Sequence, residues 1–160
     1  MGAILSRLAY WYLIPVFDTA FLVDVAGDTV RGLFGRVTTV APGTACLFCR
    51  NRIDGAQLAA EGLPDEERAR LAAEGYVPGL GHPDPSVGTY TTLTASLAVA
   101  ELLDRLFGFS REAPPSELLV RIHDRAISNT TVAPRPEHYC GDRSYWGRGD
   151  TEPFLEQLWG

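Results

Sequence analysis

The chain has no lysine. All fourteen basic residues are arginine, set against twenty acidic ones, and the net charge is −6. The arginines are scattered, so the basic footprint of a non-specific nucleic-acid binder is missing. Without lysine there is no Walker-type phosphate loop, and no G-x-G-x-x-G turn follows a strand-like run. The glycine cluster from Gly75 to Gly81 follows a helix-like stretch, so it does not read as a backbone phosphate cradle. Long hydrophobic runs are also missing. Residues 8–23 are apolar and aromatic, but Pro15 and Asp18 interrupt them before the ~18 residues a spanning helix needs. Arg7 alone does not make the basic start of a signal peptide. Cysteine is scarce: there are three. An odd number excludes a complete disulfide framework within one chain, and points to reduced or metal-bound thiols in a cytoplasmic protein. There are no internal repeats and no low-complexity tracts.

The chain does have the means to build one core. Its 160 residues are 46% hydrophobic and 21% charged, which places residues 1–160 in a single globular domain of α/β class. Residues 3–12 carry helical periodicity, with Ile4, Leu8 and Tyr12 on one face. That helix opens almost on the first methionine without a cap, as if cut from a longer chain. Residues 13–18 read as a buried strand, with Pro15 tolerable near its start. Residues 21–25 and 30–40 read as a hairpin turned at Gly27, with Gly32 and Gly35 suggesting a bulge or a second bend. Asp54 caps a short helix, and Pro64 and Asp65 open another that stops at Gly75. Residues 75–88 are a turn-rich loop. Residues 87–107 form the longest helix, apolar most of the way round and therefore expected to be buried on several sides. Leu118, Val120 and Ile122 alternate with Leu119, Arg121 and His123 as a half-buried strand that returns through residues 126–132. Trp146 and Trp159 are candidate anchors of the tail.

The chemistry centres on Cys46 and Cys49. Two cysteines separated by two residues form a knuckle that turns both thiolates onto one metal ion. Cys140 lies far away in sequence, beside His138. If it joins the knuckle, one metal clips the middle of the chain to a tail at about residues 134–150. A closed structural zinc site wants four ligands. The fourth would be either His138, which makes a familiar set with three thiolates, or Glu137; the plainer reading is a degenerate site with buried or idle thiols. Nothing suggests an open coordination position with a general base beside it, so a zinc hydrolase is the weakest reading. Asp18 is the most interesting lone carboxylate, because strand ends line ligand crevices in α/β sheets; the plainer reading is a turn cap. The short patterns at residues 1–6 (myristoylation) and 129–131 (glycosylation) occur often by chance.

In order along the chain stand LIPVFD at 13–18, GRV at 35–37, PGTACLFCR at 42–50, and PSVGT at 85–89 before an Ala/Leu-rich helix. This ordered set, from about residue 5 to 150, resembles the C-terminal half of the ThiF/MoeB/HesA family, the ubiquitin-activating-type adenylyltransferases. The resemblance implies a mixed sheet with a long buried helix, like the second half of a ThiF-type Rossmann-like fold. It implies a crossover loop at 75–88 and a structural zinc clip. In the family the tail usually presents a second C-x-x-C pair; here Glu137 stands where its first cysteine would be. The implied activity is ATP- and magnesium-dependent adenylation of the carboxylate of a ubiquitin-like protein or similar acceptor. The ATP-binding turn belongs to the other half of the family, so this chain would be inactive alone. It would need that N-terminal half in trans or upstream, and it would form a homodimer by analogy. No nucleophilic cysteine stands between Arg50 and Tyr139, so thioester chemistry has no residue here. The other expectation is a binding or scaffold protein of the same descent that has lost catalysis.

Overall fold

The structure is a computed structural model that describes residues 2–74 and 88–154. The elements run α1 (Gly2–Trp11), β1 (Val16–Ala26), β2 (Thr29–Val40), α2 (Gly55–Glu61), α3 (Asp65–Ala73), α4 (Gly88–Phe107), β3 (Glu117–Arg121) and β4 (Ala126–Thr130), followed by a short 3-10 turn at Arg143–Tyr145. The class is mixed α and β. The four strands lie in the order β1-β2-β3-β4, and every pair is antiparallel. This corrects the expected mixed sheet: among the described residues no parallel pair occurs. Two of the three strand links are short turns, at Gly27 and Arg125, and a short turn can join only antiparallel neighbours.

A second correction concerns the start of the sheet. Residues 13–18 and 21–25 are not separate strands; β1 runs unbroken from Val16, paired with Val40, to Ala26, paired with Thr29. Leu13 takes a left-handed φ of 57° and Pro15 offers no N–H, so ladder pairing begins only past them. Gly27 turns the hairpin with φ 58°. The register slips between Asp24 and Val25, skipping Arg31 beside Gly32, near the expected bulge. Asp54 caps α2 by accepting from the Ala56 N–H at 2.8 Å.

The third correction is α4. It crosses one face of the sheet, where Tyr90 stacks on Phe21 and Thr94 meets Gly35. It is not buried on several sides. Thr94 and Asp104 are its only buried residues among those described, while Val99, Leu106 and Phe107 are exposed. The sequence shows apolar character all round, and the sheet covers one side. The expected loop at 75–88 falls, up to residue 87, outside the described residues, as does Trp159; Gly88 opens α4.

The densest packing is at the end of the sheet nearest Val40. Ala9 and Tyr10 of α1, Val40, Cys46, Leu47 and Cys140 form one buried cluster. Trp146 of the tail packs on it, its ring 6.2 Å from that of Tyr10, and its indole N–H donates to the Tyr139 carbonyl at 3.0 Å. None of the described helices is long and apolar enough to cross a membrane.

Candidate metal centre

Just past β2, Thr44 ties the chain into a turn. Its hydroxyl accepts from the Ala41 N–H at 3.1 Å, and the Thr44 N–H donates to the Ala41 carbonyl at 3.0 Å. Residues 46–52 then coil tightly. The Arg50 N–H donates to the Cys46 carbonyl, that of Asn51 to Phe48 and that of Arg52 to Leu47, at 2.8–3.1 Å. Asn51 absorbs the turn with φ 55°, a conformation asparagine tolerates better than most residues. The coil points both knuckle thiols inward, and the Cys49 N–H approaches the Cys46 sulfur at 3.5 Å.

The tail supplies the other side. The His138 N–H donates to the Arg135 carbonyl at 3.1 Å, and the Gly141 and Asp142 N–H groups donate to the His138 carbonyl at 2.7 and 2.9 Å. This bend turns His138 and Cys140 toward the knuckle. It depends on Gly141, because a Cβ there would lie 2.1 Å from the Arg135 carbonyl oxygen.

The four ligand atoms of Cys46, Cys49, His138 and Cys140 all lie within 4.8 Å of one another. His138 Nδ1 stands 3.4 Å from Cys46 Sγ, 3.5 Å from Cys49 Sγ and 3.3 Å from Cys140 Sγ; the Cys49 and Cys140 sulfurs are 3.5 Å apart. A tetrahedral zinc site has edges of about 3.8 Å between sulfurs and about 3.5 Å between sulfur and nitrogen. These four distances are close to such edges, the remaining pairs lie within 4.8 Å, and all three cysteines are free thiols. The cluster can hold a metal ion, and its donor set suits zinc. Of the two residues left open as fourth ligand, His138 joins the cluster; Glu137 is exposed and lies outside it.

The surroundings match that use. Cys46 and Cys140 are fully buried. Without a cation, burial and the neighbouring Cys46 push the Cys140 thiol up to about 12. A bound cation reverses that preference and takes the thiolate. Burial, and then the Arg135 charge, hold the His138 imidazole below its ordinary value, which leaves a ring nitrogen free of its proton. The Tyr139 hydroxyl donates to Ser6 Oγ at 3.1 Å, which ties the tail to α1. With all four side chains as ligands, a tetrahedral ion would have no position left for an activated water.

A second polar cluster was not read from the sequence. Glu117, at the start of β3, accepts from Arg52 at 2.7 Å and from the Thr38 hydroxyl at 2.9 Å, and Arg50 stands 3.7 Å away. Arg50 also donates to Ser116. Burial would raise the Glu117 carboxyl, but the Arg52 and Thr38 hydrogen bonds and both guanidinium charges outweigh it and hold it below the usual carboxylate range. The only signal in the sequence was that Arg50 and Arg52 directly follow the knuckle. Asp18 proves to be neither a strand end nor a turn cap. It sits inside β1, bound to Arg36 at 2.7 Å, beside a cavity of about 260 Å³ that Arg52 also lines. Models of known protein families were compared with the chain and none matches; no curated protein matches it either.

Proposed function

We propose that the Cys46, Cys49, His138 and Cys140 cluster holds one structural zinc ion, and that the chain is the acceptor-facing part of a ThiF-like adenylylating enzyme. The four-residue cluster carries this reading, because it joins the knuckle of the 42–50 stretch that resembles the family to the tail, as the implied zinc clip would. The likeness to the second half of a ThiF-type fold, with a crossover loop at 75–88, belongs to the same proposal.

In this reading the metal fixes structure and takes no part in bond making. It holds the knuckle, and with it Arg50 and Arg52, against the sheet. The sheet face opposite α4 then offers a shallow groove of about 260 Å³ with Ala20, Leu22, Phe34 and Leu119 along it and Arg36 and Arg52 among its lining. An apolar floor with guanidinium groups beside it suits an extended acceptor tail that ends in a carboxylate. ATP and magnesium enter only with a separate ATP-binding half, since this sequence carries no phosphate-cradling turn. The chain would work in a reducing cytoplasm, where the thiols stay available to metal.

ATP–pyrophosphate exchange tests this. The zinc-loaded chain alone should show none, and exchange should appear when an ATP-binding half and an acceptor are added. Exchange that does not depend on this chain would refute the reading. The second reading, a scaffold that binds the acceptor without any adenylation, is favoured by the missing phosphate turn. It predicts acceptor binding with no exchange under any combination. A zinc hydrolase finds no support in a site whose four positions are all filled.

A further inference from the structure

A cavity of about 220 Å³ lies between α1 and the tail, and neither the metal ligands nor the Arg52–Glu117 cluster line it. Helix α1 contributes Arg7, Tyr10 and Trp11, which share one helix face at i, i+3 and i+4. The tail contributes Glu137, Tyr139 and Tyr145. Three of the four rings are fixed by their own polar ends. The Tyr10 hydroxyl donates to the Thr44 carbonyl at 2.9 Å, that of Tyr139 to Ser6 Oγ at 3.1 Å, and the Trp11 indole N–H to the Glu152 carbonyl at 3.3 Å. Tyr10 and Tyr139 meet edge to face, 5.5 Å apart at 71°.

The two charged residues of this lining are unspent. Arg7 and Glu137 are exposed, and among the described residues neither forms an ion pair or a hydrogen bond, with each other or with anything else. The chain's own cations leave these four rings alone as well: among the described residues, the guanidinium groups that lie over rings are Arg105 on Phe17 and Arg143 on Trp146. Aromatic rings beside a carboxylate suit a cation, and a guanidinium suits an anion. We propose that this cavity binds a small zwitterion, a quaternary ammonium joined by a short link to a carboxylate or phosphate. The ammonium would lie against the rings and Glu137, and the anion on Arg7.

The lining selects the kind of ammonium. A primary ammonium brings three N–H donors, and each needs an acceptor when it leaves water. Glu137 is the one carboxylate here, and the fixed hydroxyls are already engaged. A quaternary ammonium brings no N–H, so ring faces satisfy it without a hydrogen bond. The opposite charges on the lining also select. Arg7 disfavours a ligand that carries a positive charge alone, and Glu137 one that carries a negative charge alone; a ligand with both signs meets each. The volume falls below the ~300 Å³ of drug-sized pockets, so the ligand is small. This inference does not depend on adenylation.

Calorimetric titration of the full chain, purified without chelator, tests it. Glycine betaine or phosphocholine should bind saturably at one site, with a Kd of about 1 mM or tighter. For the betaine, the carbon isostere 3,3-dimethylbutanoate has the same shape without the positive charge, and should bind at least about 5-fold more weakly. Tyr145 is 48% exposed and its hydroxyl has no partner among the described residues, so its ring can be removed without disturbing the fold. Tyr145→Ala should weaken binding about 5-fold or more, and Tyr145→Phe, which keeps the ring, should not. Arg7→Gln should weaken the zwitterions but not choline, which lacks the anion. Circular dichroism should stay unchanged in all three variants. Phosphatidylcholine vesicles separate the two sources of this chemistry: co-sedimentation assigns a lipid headgroup, and binding confined to the soluble zwitterions assigns a free metabolite. No saturable binding of either zwitterion overturns the proposal. So does equal binding of the carbon isostere, or an affinity that Tyr145→Ala leaves unchanged.

Discussion

The sulfur of Cys49 lies 3.5 Å from that of Cys140, although ninety-one positions separate them along the chain. Each belongs to a different local turn, one following β2 and one in the tail. The two turns are remote in sequence, and the buried Tyr10, Val40 and Leu47 pack around both.

Removing the metal should therefore loosen the whole molecule. By chain entropy, a link closing a loop of this length contributes about 4–5 kcal/mol. For a chain of this size, chelation should lower the melting temperature by on the order of 10 °C. Metal analysis of protein purified without chelator should find about one zinc per chain, as a four-ligand closed site requires. Cys140→Ser and His138→Ala should each weaken zinc at least about 100-fold in a competition titration with a chromogenic chelator. Glu137→Ala should leave affinity unchanged.

Gly141→Ala tests the tail bend without touching a ligand. The new Cβ would lie 2.1 Å from the Arg135 carbonyl oxygen, and backbone cannot yield that far cheaply. The bend that presents His138 and Cys140 should open. Zinc stoichiometry should fall well below that of the wild type, while the far-ultraviolet dichroism of the sheet persists in added zinc.

Glu117 predicts an acid limit to stability. The folded state holds its carboxyl below the unfolded value of 4.5. Its contribution is thus fully present above that pH and fades as pH falls through the lower folded value. Glu117→Gln leaves Arg50, with a side chain only 2% exposed, without its counter-charge. The expected loss at pH 7 is about 3–5 kcal/mol. Urea unfolding at pH 7 and pH 4 should show a smaller drop with acid in the variant than in the wild type.

Gly35→Ala tests how α4 seats on the sheet. A Cβ at Gly35 would meet the Thr94 hydroxyl at 2.6 Å and Val120 at 3.6 Å. Thr94 is 2% exposed and its hydroxyl is bonded to the Tyr90 carbonyl, so it cannot swing away. The helix must lift, at about 1–3 kcal/mol in chemical unfolding. Zinc content should not change, because the atoms nearest that Cβ belong to Thr94 and Val120 and none to the metal centre.

The sequence alone determined the local parts. The spacing of Cys46 and Cys49 set the knuckle, because two intervening residues allow one tight coil and little else. The hairpin at Gly27, the cap at Asp54 and the strand from Leu118 to Arg121 were legible for the same reason: each depends on residues within a few positions of one another; the burial along that strand does not alternate as expected. The tertiary structure decided the rest. It chose His138 over Glu137, since the bend at Gly141 directs one side chain inward and leaves its neighbour in water. It merged two expected strands into β1, because pairing along all of β2 outweighs the break suggested at residues 19 and 20. It placed Glu117 beside Arg50 and Arg52, a meeting no local pattern encodes. It also decided which side of α4 is inner. Periodicity reveals that a helix has apolar stripes, but only the sheet's position shows that the charged side lies against it and the uncharged side faces away.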